Sequence, residues 1–355
     1  MSVETLAQLR NEIDTISLEI LQLLNKRAAV AQKIGMVKSQ SGTTNKFDPR
    51  REQELLLWLV EQNQGPLNDE TIIQLFKEIF KASLAVQEQE QEKKLLVTRH
   101  EQTPDTVINV GAVAFGGQEP IMIAGPCAVE SEAQIRAVAQ ELVANGVQVM
   151  RGGAYKPRTS PYDFQGLGLE GLKMFYRVAK EFGLVVITEI MDPIELTAAL
   201  PYLDIVQIGT RNMQNFALLK AAGQQEKPVL LKRGMSATIE EWMYAAEYIM
   251  AQGNEQVIFC ERGIRTYENA TRNTLDISAV PLMKQKTHLP VFVDVTHAAG
   301  RKDIMLPLAK AALAAGADGI MVEVHPLPST ALSDAQQQLD FPEFSAFMTE
   351  MKPFL

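Results

Sequence analysis

Cysteine is nearly absent: the 355 residues contain two, Cys127 and Cys260, each inside an apolar run of strand length. This excludes a disulfide framework and suits a reducing compartment. Long hydrophobic runs are missing as well, and the opening MSVETLAQLR has no charged-then-apolar leader. Neither a membrane span nor a signal peptide is expected, and the chain reads as cytoplasmic. Positive charge is in deficit, with 34 Lys and Arg against 43 Asp and Glu and a formal net charge of -9. Such a balance argues against nucleic acid as a partner, so any cluster of cations should be local and directed at small anions. The phosphate fingerprint GxGxxG is missing where an open, doubly wound sheet would need it.

What is present falls into two parts, with 46% hydrophobic residues to build a sizeable core. In residues 1–90, Leu6, Leu9, Ile13, Ile16, Ile20 and Leu24 step by three or four, which predicts one helix from about Thr5 to Ser39. A second helix should begin at Asp48-Pro49 and a third after Asn68 as its cap. Three helices with short turns cannot bury a first helix of this length, so an intertwined homodimer is expected. The polar stretch 91–105 reads as a linker. Residues 106–355 begin with a hairpin, TVINVGAVAFGG, and continue as eight apolar runs alternating with helical stretches: PIMIAGPC, VQVMRGG, LVVITEI, DIVQIGT, KPVLLKR, QVIFCER, PVFVDVTH and GIMVEVHP. Continuous apolar strands separated by helices imply a parallel sheet covered on both sides. Eight such units imply an α/β fold of the closed (β/α)8 TIM barrel type behind an all-α domain.

Every run ends on reactive or charged residues: Cys127, Arg151, Glu189, Thr210 with Arg211, Lys232 with Arg233, Glu261 with Arg262, Asp294 with His297, and Glu323 with His325. Barrel active sites lie at the carboxyl ends of the strands, so these side chains should converge on one mouth. A rim of solvated charges is the plainer alternative, but it does not explain why strand after strand ends alike. Arg151, Lys156, Arg158, Arg211, Lys232 and Arg262 suit phosphate and carboxylate groups, and the prolines of KPRTSP stiffen the loop that carries two of them. The ligand should be polyanionic. A thiol, an imidazole and two carboxylates, Cys127, His297, Glu323 and Asp334, come from the first, seventh and eighth runs and the loop beyond, which adjoin once a barrel closes. They could hold one divalent transition metal with positions left open. Cys260 reads as a small core residue, and His100 and His288 as surface residues. A Schiff base on Lys232 is a rival chemistry, disfavoured by the arginines around it.

On these residues, 106–355 resemble the 3-deoxy-D-arabino-heptulosonate 7-phosphate (DAHP) synthases of the short microbial branch, through AGPCAVES, RGGAYKPRTSPYDFQGLG, QIGTRNMQNF, LLKRGM, ERGIRTYENATRNTLD, VDVTHAAGRKD and VEVHP. The resemblance implies condensation of phosphoenolpyruvate with erythrose 4-phosphate and release of phosphate, with one divalent ion per barrel, Mn2+ or similar. It places Cys127, His297, Glu323 and Asp334 as metal ligands, and Arg151, Lys156, Arg211, Lys232 and Arg262 at phosphoenolpyruvate. Arg158 and Thr159 would contact erythrose 4-phosphate, and Lys156 would act as a proton donor to the aldehyde oxygen. A sister family builds an octulosonate from arabinose 5-phosphate on the same barrel, but its loop differs from KPRTSP.

In the first helix Arg27 and Lys38 are eleven residues apart, within roughly 20° on the same face and about 16 Å along it, so they can share a ligand. Arg10 is rotated by roughly 100° from Arg27 and would serve the partner's site in a dimer. LAQLRNEID, LLNKRAAVAQKIG, FDPRRE and SLAVQ make residues 1–90 similar to the all-helical chorismate mutases. That resemblance implies rearrangement of chorismate to prephenate without nucleophile or cofactor, with Arg10, Arg27, Lys38, Asp48, Arg51, Glu52, Ser83 and Gln87 at binding positions. Arg27 and the partner's Arg10 would hold the carboxylates, Lys38 and Gln87 the ether oxygen, and Glu52 the ring hydroxyl. The one departure noted is Ile16-Ser17, where these mutases often carry an aspartate. The pairing of activities implies that prephenate or chorismate feeds back on the barrel. An alternative makes residues 1–90 chiefly a ligand sensor with weak catalysis. A homotetramer is expected, since the paired helical domains supply one two-fold axis and barrels of this family usually associate.

Overall fold

The computed structural model describes residues 5–40, 48–92, 95–158 and 160–355, without the side chains of 38–40 and 87–92. Two compact units divide at Leu95/Leu96, inside the stretch read as linker.

The first unit consists of α1 (Leu6–Gln40), α2 (Pro49–Gln62) and α3 (Asp69–Glu92), with α3 packed on the other two. Local chemistry sets the helix starts. The Asp48 carboxylate accepts the Arg51 N–H at 3.1 Å and Pro49 supplies a preset φ in the first turn of α2. The Asn68 side chain does the same for Thr71, at 2.8 Å, ahead of α3. Much of the apolar stripe of α1 stays uncovered, with Leu6, Ile13 and Ile20 exposed to 64%, 63% and 52%. A stripe that large on one helix needs another surface to cover it.

The second unit is a closed barrel of parallel strands: β3 (Ile121–Gly125), β4 (Val149–Arg151), β5 (Val185–Ile190), β6 (Ile205–Ile208), β7 (Val229–Lys232), β8 (Val257–Glu261), β9 (Val291–Asp294) and β10 (Gly319–Glu323). It is preceded by the antiparallel hairpin β1 (Ile108–Val110) and β2 (Val113–Phe115). The hairpin side chains Ile108, Val113 and Phe115 join one buried cluster with Ile123, Val149, Ile187, Leu230, Ile258, Phe292 and Met321 from the barrel interior, and the Phe115 and Phe292 rings lie 5.7 Å apart. These are positions near the strand starts, so the hairpin plugs the amino-terminal end of the barrel and the polar strand ends are left at the other. Closure pairs β10 with β3, setting Glu323 opposite Gly125 and so beside the turn that carries Cys127.

The segment entering the barrel is tied down. Glu247 accepts the N–H groups of Leu96 and Val97 at 3.2 and 3.0 Å. His288, read from the sequence as a surface residue, is half-buried and bonded through both ring nitrogens, to Thr106 Oγ1 at 2.6 Å and to the Leu96 carbonyl at 2.9 Å. Both partners lie some 180 residues earlier in the chain, which is why the pattern around His288 did not reveal them. No helix among the described residues is long and apolar enough to cross a membrane.

Candidate active site

At the carboxyl ends of the strands lies a cavity of about 360 Å³ whose wall contains all six predicted cations, Arg151, Lys156, Arg158, Arg211, Lys232 and Arg262. Two more, Arg265 and Arg272, were missed as site residues although both stand in the stretch ERGIRTYENATRN, where a second and third arginine after a strand end was the available signal. The expected convergence of every strand end needs correction at three positions. Arg233 and Glu261 each adjoin a residue of the cavity wall, so the alternation of a strand turns them away from it. They pair with each other at 3.0 Å, with Asp276 at 2.8 Å from the same guanidinium. His325 faces Glu130, 3.4 Å away, rather than the cavity.

The buried cations differ in how they are neutralised. Arg151 donates to Glu323 Oε1 at 2.9 Å and to Gln207 at 3.2 Å; Lys232 is ion-paired with Asp294. Lys156 reaches the Cys127 carbonyl and sulfur at 2.9 and 3.1 Å. It can do so because Gly153 has no side chain: a Cβ there would sit 2.9 Å from the Cys127 carbonyl oxygen and 3.1 Å from Lys156 Nζ. Arg262 stands apart. It is 5% exposed, and among the described residues its guanidinium makes one hydrogen bond, a long one of 3.5 Å to the neighbouring Gly263 carbonyl. Burial pushes its guanidinium below its ordinary range. The Asp294 and Glu261 charges oppose this only in part; a buried cation that makes no ion pair is costly, and an anionic ligand would offset that cost.

Beside these cations the predicted donor set assembles. Ligand atoms of Cys127, Glu323 and Asp334 lie within 4.8 Å of one another, and His297 Nε2 is 3.4 Å from Glu323 Oε1 and 3.8 Å from Asp334 Oδ2. Burial is the main force pushing the Cys127 thiol up to about 12, with the Glu323 charge adding to it and Lys156 opposing it only in part, so the thiol stays protonated. Burial pushes His297 down, towards neutral imidazole. Its Nδ1 is 2.7 Å from Asp294 Oδ2, which leaves the Nε2 lone pair aimed at the cluster. Burial opposes ionisation of Asp334, but His297 and the Arg272 guanidinium overcome it and lower the carboxyl to about 2. Sulfur, imidazole and two carboxylates are a donor set that could hold a divalent transition ion.

A family model described as the DAHP synthetase I family matches residues 88–354, three quarters of the chain. The chain belongs to the DAHP synthetase I family. A chorismate mutase type II model matches residues 9–88, so a DAHP synthase barrel follows a chorismate mutase domain. Among curated relatives, a phospho-2-dehydro-3-deoxyheptonate aldolase of Thermotoga maritima is 53% identical over 257 residues, 72% of this chain and 76% of the relative. A 2-dehydro-3-deoxyphosphooctonate aldolase of Syntrophotalea carbinolica is 32% identical over 268 residues, 70% of this chain and 95% of the relative. The crystal structure of the Thermotoga phospho-2-dehydro-3-deoxyheptonate aldolase superposes with a TM-score of 0.71 at 52% identity, covering 73% of this chain and 76% of that one. A truncated form of the Thermotoga DAHP synthase gives 0.68 at 49% identity, covering 73% and 95%.

In the mutase domain, Arg27 donates to the Ser83 hydroxyl at 2.5 Å and lies over the Phe80 ring, 4.9 Å from its centroid. The pair joins α1 to α3, and partial burial lowers the Arg27 guanidinium. Asp48 serves as the cap of α2, and Arg51 lies 3.4 Å from Glu54. Arg10 is exposed and Glu52 half-buried. The Lys38 and Gln87 side chains and all of Thr159 lie outside the described residues.

Proposed function

We propose that the synthase barrel condenses phosphoenolpyruvate with erythrose 4-phosphate and that the helical domain rearranges chorismate to prephenate, which in turn inhibits the barrel. The observation that carries the first half is the cavity itself: eight cations, one of them buried without an ion pair among the described residues, beside a thiol–imidazole–carboxylate cluster. Arg151, Arg211, Lys232 and Arg262 neutralise the carboxylate and phosphate of phosphoenolpyruvate and fix its C3 towards the aldehyde. Arg158 and Thr159 hold the phosphate of the sugar. As the C–C bond forms between C3 and the aldehyde carbon, the aldehyde oxygen gains charge, and Lys156 donates a proton to it. Water then adds at C2, and the hemiketal phosphate breaks its C2–O bond, releasing phosphate with the bridging oxygen. A divalent ion of the manganese class, held by Cys127, His297, Glu323 and Asp334, would supply Lewis acidity at the aldehyde oxygen. The ion pair of Lys232 with Asp294 suits an anion-binding role better than a Schiff base.

For the rearrangement the domain supplies carboxylate clamps, Arg27 and a partner's Arg10, and donors to the ether oxygen, Lys38 and Gln87; Ser83 holds Arg27 in place, while Asp48, Arg51 and Glu52 complete the pocket. The uncovered stripe of α1 supports an intertwined dimer, which would bring the second Arg10. Barrel contacts would extend the dimer to a tetramer, in the cytoplasm. Feedback requires that prephenate bind two arrangements of the protein unequally.

One coupled assay tests both halves: loss of phosphoenolpyruvate with erythrose 4-phosphate, and loss of chorismate, each with and without prephenate. Arg27→Ala should lower chorismate turnover by about 10²–10³, the scale for removing one charge-directed donor, and leave uninhibited synthase turnover unchanged. Loss of the prephenate response in the same variant is the expected result if catalysis and sensing share the pocket; an intact response would contradict that.

A further inference from the structure

The four candidate ligands do not stand alone. Arg272 Nη1 donates to Gln337 Oε1 at 2.7 Å and lies 3.2 Å from Asp334 Oδ1, and Gln337 Nε2 donates to Glu323 Oε2 at 2.9 Å. Each carboxylate thus has one oxygen engaged on the same side: Oδ1 of Asp334 by Arg272, Oε2 of Glu323 by Gln337. The other oxygens face the cluster, Asp334 Oδ2 at 3.5 Å from Cys127 Sγ and 3.8 Å from His297 Nε2, and Glu323 Oε1 at 3.4 Å from His297 Nε2 while also accepting from Arg151 at 2.9 Å. Gln337 is 3% exposed, and its N–H bonds the Asp334 carbonyl at 3.3 Å. Asp334 itself has φ of 49°, a left-handed conformation that a non-glycine residue keeps only when its surroundings enforce it. The other end of the arrangement is anchored to the segment bearing His297: Arg272 N–H bonds Ala299 O at 3.0 Å, and the Asn273 side chain bonds His297 O at 3.0 Å. On the outer side lies a second recess of about 610 Å³, walled by Arg272, Gln337 and Asp334.

We propose that Arg272 and Gln337 are positioning residues, a brace that restricts Glu323 and Asp334 to one ligating oxygen each and so keeps coordination positions open for substrate. The inference rests on the metal reading above and adds the device that keeps the site low-coordinate. A bidentate carboxylate would fill a position that the reaction needs. Neither residue touches a reacting atom in this account.

The test is titration of the metal-free full chain with Co2+, following the visible d–d bands, whose intensity falls as coordination rises to six, together with affinity by competition against a chromophoric chelator. Wild type should show the intense bands of a site with four or five ligands. Gln337→Leu should weaken Co2+ affinity by about 10–100-fold and convert the spectrum to the weak six-coordinate form. Arg272→Leu, at a side chain 41% exposed, should shift both readings the same way and stands in if the buried substitution disturbs folding. Unchanged spectra in both variants, or weakened affinity with wild-type bands, would overturn the brace and leave the metal reading standing. A wild-type chain that binds no Co2+ would overturn both.

Discussion

Stripped of divalent cations by a chelator and desalted, the protein is expected to stop consuming phosphoenolpyruvate in the presence of erythrose 4-phosphate, while chorismate turnover continues unchanged. The two halves of the chain make the comparison internal. In the barrel, the aldehyde must be activated against a weak carbon nucleophile, and Lewis acidity at its oxygen is worth several kcal/mol, so a drop of at least about 10³ is expected. Cys127, His297, Glu323 and Asp334 keep their places without an ion because Lys156, Asp294, Arg151 and Arg272 hold them, so the loss should be reversible. Added Mn2+ should restore turnover. In the helical domain the rearrangement needs only positioned charges, and Arg27 is placed by Ser83 and Phe80. Parallel loss of both activities would point to damage by the chelator, and a metal-free preparation with full synthase turnover would contradict the metal reading.

Arg262→Met should have opposite effects on binding and on stability. Arg262 is buried, has no carboxylate within bonding distance among the described residues, and gains most of its compensation from ligand charge in this account, with Asp294 and Glu261 supplying part. Removing it should lower kcat/KM for phosphoenolpyruvate by about 10²–10³, most of it as a raised KM if the contact is made to the ground-state anion. Without ligand, however, an apolar side chain of similar length relieves a buried charge, and stability should rise by roughly 1 kcal/mol, equivalent to about 2–4 °C in Tm for a unit of this size. Arg151→Met is the control. That guanidinium is paired with Glu323 and Gln207, so its removal orphans a buried carboxylate and should lower Tm as well as turnover. Thermal melts of the ligand-free proteins separate the two; a destabilised Arg262→Met would mean that the guanidinium is structural.

Much of this was legible in the sequence, where the signal was local. The helix starts at Pro49 and Asp69 follow from caps within three residues, and the apolar runs are the barrel strands because strands buried on both faces carry no alternation. Where two charged residues stand side by side the sequence could not tell which faces the cavity. Lys232 and Arg233 read alike, as do Glu261 and Arg262, and strand register decides: Lys232 and Arg262 face inward while Arg233 and Glu261 pair outside. The Arg272–Gln337 brace and the His288 clasp were invisible for a different reason. Their partners lie 65 and more than 180 residues away, and the brace depends on a backbone conformation at Asp334 that no residue type announces.

The most direct measurement is anomalous diffraction at the manganese edge from crystals of the full chain grown with Mn2+ and phosphoenolpyruvate. The account predicts one strong peak per barrel within bonding distance of Cys127 Sγ, His297 Nε2 and single oxygens of Glu323 and Asp334, with the phosphate and carboxylate of phosphoenolpyruvate on Arg151, Arg211, Lys232 and Arg262. A barrel with phosphoenolpyruvate bound and no manganese peak among those four side chains would contradict it.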